Sequence, residues 1–154
     1  MAEGVSSRSL LVMAAPPPVP ELQASPRILH TALFAGALFM APLTVFLRLI
    51  APIIDAPAAI PAFRIVALSM LAVQLIVVRW RRDRIVPLEP DGDEAAWWNA
   101  HLGSALLIWA LGESLAFLGS VFFFIAGDAL MLVPVGAGLL VLFLSRPTRL
   151  MAHS

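Results

Sequence analysis

Residues 101–127 read HLGSALLIWALGESLAFLGSVFFFIAG. The stretch is apolar for long enough to cross a bilayer, because a hydrocarbon core of about 30 Å takes roughly 20 helical residues at about 1.5 Å each. One carboxylate, Glu113, stands near its middle. Counted inward from His101, it lies about 18 Å deep and close to the midplane. Inserting a charge there costs at least about 2.5 kcal/mol, so an ionisable residue at that depth has a partner or a function. The class of protein and its first candidate site both follow from this stretch.

The composition agrees. Of the 154 residues, 60% are hydrophobic and 13% charged, and the mean hydropathy is +0.92. A soluble domain carries about 25% charged residues, so the side chains that would coat a soluble surface are missing. With no cysteine, disulfides, thiolate metal sites, iron–sulfur ligation and a catalytic thiol are excluded. All ten basic residues are arginine, and the net charge is zero. Nothing in that balance points to nucleic acid.

The chain divides into a Pro-rich N-terminal tail (1–26), a membrane domain (27–146) and a C-terminal tail (147–154). The APPPVP run at 15–20 blocks helix and sheet, so the tail is expected to be disordered rather than a cleaved signal. Spans are expected at about 28–50, 58–80, 101–126 and 129–145. Pro42 interrupts the first and should kink it unless neighbours re-satisfy the freed carbonyl. The loop at 85–94 is the longest connection, and Asp91 with Glu94 imitates a capping box that starts the third helix before the bilayer. Trp97 and Trp98 then fall at headgroup level. Arg8, Arg27, the arginines of 79–84, Arg146 and Arg149 share one side, while Arg48 and Arg64 flank the other. The excess of arginine places the first side, with both termini, in the cytoplasm. The expected fold is an all-α membrane protein, a four-helix transmembrane bundle, with the bacterial inner membrane as its location.

Glu113 is the leading site candidate, as a proton or cation carrier, as part of a substrate site in the bundle, or as a paired or neutral carboxylate that fixes helix packing. Gly112, Ala116 and Ser120 recur every four residues beside it, a small-residue face that lets another backbone approach. Its candidate partners are Arg64, which enters the bilayer from the opposite face, and Ser69. Arg48, Asp55, Arg64 and Asp128 map to the outer side, as an interhelical charge cluster or as separate solvated turn residues. His30 and His101 lie at matched depth, an arrangement suited to a haem iron, although histidine is ordinary at a membrane interface. Beyond that pair no metal site and no cofactor is implied. The arginines of 79–84 suit either anionic lipid or a topology signal.

The segment ALGESLAFLG at 110–119 resembles the ion-carrying helix of the rotor-ring proteolipid (subunit c) of rotary ATPases, through Ala110, Leu111, Glu113, Ala116 and Gly119. The resemblance implies proton carriage on Glu113. It covers ten residues and departs from the family in three ways: the carboxylate is on the third helix, glycine is sparse, and RWRRDRIVP does not match the polar loop. Small multidrug transporters share the architecture of four helices and one buried Glu, but carry that residue on the first helix. No constellation for hydrolysis, phosphate binding or a catalytic triad is present. The sequence therefore suggests a non-enzymatic interaction or accessory subunit, with the bilayer and other membrane proteins or a second copy as partners. The alternative is a proton-coupled carrier using Glu113.

Overall fold

In a computed structural model, which describes residues 25–50 and 57–152, every regular element is a helix. α1 (Ser25–Ile50), α2 (Ile60–Arg82) and α3 (Glu94–Ala126) are each long and apolar enough to cross a membrane. α4 (Leu132–Leu144) is shorter and follows a 3-10 turn over Ala129–Met131, and α5 (Pro147–Met151) closes the described chain. The expected N-terminal tail lies almost wholly outside the described residues, as does Asp55 in the turn after α1. α1 runs unbroken through Pro42.

α3 is 33 residues long, about 50 Å, and so outlasts a hydrocarbon core. It starts later than the Asp91 reading implies. Gly92 N–H turns back onto the Glu89 carbonyl, which leaves Asp93 in extended backbone as the cap, its carboxylate accepting from Ala95 N–H at 2.8 Å. Glu94 therefore becomes the first helical residue. α3 ends at Gly127, whose φ of 66° is the left-handed conformation that glycine adopts without steric cost.

Successive helices reverse direction. Arg27 at the start of α1 meets Glu94, and His30 meets Leu142 near the end of α4. At the other end, Arg48 of α1 and Arg64 of α2 both reach the turn after α3. α3 occupies the centre, in contact with α1, α2 and α4, while α1 and α2 scarcely meet. Its inner face, with Ala105, Ile108, Trp109, Leu115 and Ala116, is fully buried. α2 is the most peripheral: Ala67 is its one buried residue, and Ile65, Val73 and Ile76 lie outside. A helix apolar on its outer face as well as its inner one suits lipid rather than water.

Small residues set the tightest contact. A Cβ on Gly138 of α4 would lie 2.6 Å from the Ala116 nitrogen and against the Gly112 carbonyl, so α3 and α4 touch backbone to backbone. This realises the face expected around Gly112 and Ala116. The loop after α2 is docked rather than loose. Ile85 is buried, Trp97 Nε1 donates to the Val86 carbonyl at 2.7 Å, and Leu88 N–H donates to Met151 at 3.0 Å. Within the expected C-terminal tail, Pro147–Met151 form α5, which seats Leu150 in the core.

Candidate functional site

Glu113 sits halfway along α3, one position and so about 100° round the helix from Gly112. Gly112 is buried under α4, and this offset leaves Glu113 at the edge of the packed face, half-buried. It makes no hydrogen bond or ion pair with a described residue.

The structure does not bring the expected partners to it. Arg64 Nε donates instead to Asp128 Oδ2 at 2.6 Å. The reason is direction: an arginine near a helix end extends toward the polar boundary, where Asp128 waits, rather than toward the midplane. Ser69 is exposed, two positions and about 200° round α2 from buried Ala67, and so points away from α3.

Of the four residues mapped to the outer side, Arg48, Arg64 and Asp128 are described, and they meet around the turn after α3. Asp128 caps the 3-10 turn, Oδ1 accepting from Leu130 N–H at 3.2 Å while Oδ2 takes Arg64. The hydrogen bond from Arg64, and after it the Leu130 N–H, hold the carboxyl below the usual carboxylate range. Arg48 Nη1 donates to the Phe124 carbonyl at 3.1 Å, and its guanidinium lies where a Cβ on Gly127 would stand. Arg48 thus grips the last turn of α3, the end whose dipole favours cations, and Arg64 the turn that follows it. Phe63 against Phe122, centroids 5.4 Å apart, extends the same junction inward.

His30 and His101 are both committed to backbone. His30 Nε2 lies 2.8 Å from the Leu142 carbonyl and therefore carries the proton it donates. His101 Nδ1 donates to the Trp97 carbonyl at 2.9 Å, and its Nε2 accepts from Val86 N–H at 3.4 Å, a combination that one neutral tautomer satisfies. Among the described residues no group of three His, Asp or Glu side chains converges as a metal site.

Two groups were not singled out from sequence. Trp109 is fully buried, with its indole Nε1 donating to the Ser145 carbonyl at 2.7 Å and its ring edge-on to His30. An indole N–H can only donate, so a tryptophan inside an apolar span signals a waiting acceptor. Gln74, midway along α2, has a buried Oε1 without a hydrogen-bond partner among the described residues. A lone amide in an apolar span is the signal that finds it.

Comparison of the chain with protein-family models, with curated proteins and with solved structures gives no match. The likeness of 110–119 to the rotor-ring helix accordingly stands on those residues alone.

Proposed function

We propose that the chain is a four-span integral membrane protein of the bacterial inner membrane with both termini cytoplasmic, acting without catalysis as an interaction or accessory subunit. The observation that carries this reading is Glu113: a carboxylate halfway along the central helix, on the rim of the packed face, with no hydrogen-bond or ion-pair partner among the described residues. A group so costly to insert is stabilised by a donor from outside, a second copy or another membrane protein. The apolar outer surfaces of α1 and α2 suit a chain embedded in lipid. The alternating helix directions support a four-span path, with α4 and its 3-10 turn as the short fourth crossing.

The absence of cysteine makes the test simple. Single cysteines at Ala110 and Phe117, exposed positions three before and four after Glu113, should give a cross-linked adduct in native membranes. Glu113→Gln, which keeps a hydrogen-bonding group, should retain the adduct, and Glu113→Leu should lose it. No adduct at either position would refute the interaction reading. Reporters at Gly92 and after Ser154 should read cytoplasmic and one at Ala56 external; opposite sides for the first two would overturn four spans.

The same observation favours a second reading, a proton-coupled carrier, since Glu113 is held by no ion pair among the described residues. Carbodiimide should then label Glu113 in a pH-dependent way, and Glu113→Gln should abolish proton flux in vesicles. Flux unchanged by Glu113→Gln would eliminate the carrier.

A further inference from the structure

We propose that the cleft between the first turns of α1 and the junction of α4 with α5 binds the headgroup of an anionic phospholipid. The cleft has a volume of about 340 Å³, at the small end of the roughly 300–1,000 Å³ typical of ligand sites and matched to a headgroup. Its lining is graded. Arg27 and Arg146 bring exposed guanidiniums and Thr148 a hydroxyl, the Thr31 hydroxyl being committed to the Arg27 carbonyl at 2.8 Å, while Phe34 and Phe143 supply the apolar wall. Phe34 stands seven residues beyond Arg27, about 10 Å further along α1. One turn past each aromatic, Leu38 and Leu140 carry exposed apolar surface onward in the same direction. A phosphodiester at the mouth would leave its acyl chains lying along that strip.

Charge selects the occupant. Arg27 is joined to Glu94 at 3.0 Å. Arg146 and Arg149 have no carboxylate partner among the described residues; they rest over the Phe143 ring, 5.5 and 5.3 Å from its centroid. Two guanidiniums, Arg27 and Arg146, therefore line the cleft, and Arg149 stands beside it over the Phe143 ring, against the one carboxylate of Glu94, at the end of the bundle that carries Trp97 and Trp98. That end would face the cytoplasmic leaflet, where anionic lipids attract arginine between helices. The grading of polarity favours a lipid over a free phosphate, which would leave the aromatic wall and leucine strip uncovered. The site differs from the arginine run at 79–84, where Arg84 and Arg81 lie over Trp80.

The inference rests on the bilayer reading, and the two are separable. Carbonate washing of membranes tests the first: a chain released by the wash refutes the bilayer reading itself. The second test uses the full chain in mild detergent, with native mass spectrometry of adducts formed with phosphatidylglycerol, phosphatidylcholine or inorganic phosphate at equal concentration. Phosphatidylglycerol should bind in clear preference to phosphatidylcholine, and inorganic phosphate should not displace it. Arg146→Gln and Arg149→Gln, both at exposed positions, should each reduce the preference about five-fold. Arg82→Gln, outside the cleft, should leave it unchanged. Equal binding of the two lipids, displacement by inorganic phosphate, or a preference that survives the Arg146→Gln/Arg149→Gln double variant with the helical circular dichroism intact would each overturn the site.

Discussion

Replacing Gly138 with alanine tests the backbone contact between α3 and α4 directly. The new Cβ would lie 2.6 Å from Ala116 N and 3.0 Å from Leu115 Cβ, and would press on the Gly112 carbonyl. Carbon contacts are comfortable at about 3.5 Å, so the helices must part by about 1 Å, a gap that forfeits a quarter to a half of the dispersion energy of the affected pairs. Because two of the opposing atoms are backbone, no side chain can swing away. Overpacking of this kind costs about 1–3 kcal/mol. Alanine also raises helix propensity by about 1 kcal/mol over glycine, which masks part of the loss. Gly136 supplies the control, since it lies on the same helix and a Cβ there meets nothing within 4 Å. Propensity is common to both substitutions and cancels, so Gly138→Ala should melt below Gly136→Ala by the steric cost alone. At about 2–4 °C per kcal/mol for a chain of this size, the gap is about 2–12 °C. Thermal unfolding in detergent, followed by circular dichroism, measures it. Equal melting temperatures for the two variants would refute the close packing.

Three further predictions follow from the ion pair and the buried indole. In double-mutant cycles on melting temperature, Arg64→Leu and Asp128→Leu should be non-additive, whereas Arg64→Leu and Glu113→Leu should add within about 0.5 kcal/mol; coupling in the second cycle would restore the Arg64–Glu113 pairing. Asp128 has a lowered carboxyl pKa in the fold, so its contribution should be constant from neutral pH down to the ordinary carboxylate value of about 3.9 and fade below it, as pH falls through the folded value. Melting curves of the parent chain and Asp128→Asn should therefore converge on acidification, and convergence already above pH 6 would contradict the pair. Trp109→Phe strands the buried Ser145 carbonyl and should cost about 1–3 kcal/mol, read as a lower melting temperature; an unchanged one would mean the hydrogen bond is not formed.

Length and apolarity make α1, α2 and α3 legible in sequence, because a run long enough to cross a bilayer leaves few alternatives to a helix. The depth of Glu113 follows from the same counting. Its surroundings do not, because rise along a helix fixes depth while the neighbour at a given azimuth depends on how the helices pack. Arg64 illustrates the gap. Its axial distance allowed Glu113, but the competing carboxylate at Asp128 sits nearer the boundary toward which an arginine extends. The α3 start slipped because three acids, Asp91, Asp93 and Glu94, offer competing caps, and the turn closing at Gly92 decides among them. α5 was hidden by its shortness: five residues carry too little periodicity to announce a helix, and its stability comes from burying Leu150 and Pro147.

The central place of α3 has a consequence for the order of events during synthesis. A chain emerges from the ribosome N-terminus first, so α1 and α2 exist before the helix against which both pack. Scarcely touching one another, they must persist meanwhile as separate segments in lipid, a wait their outward apolar side chains make tolerable. α3 and α4, joined by little more than Gly127, Asp128 and one 3-10 turn, can close on each other as soon as both have emerged. A nascent chain halted near residue 93 would hold two helices and no tertiary structure, and the thirty-odd residues that follow would convert it into a bundle in one step.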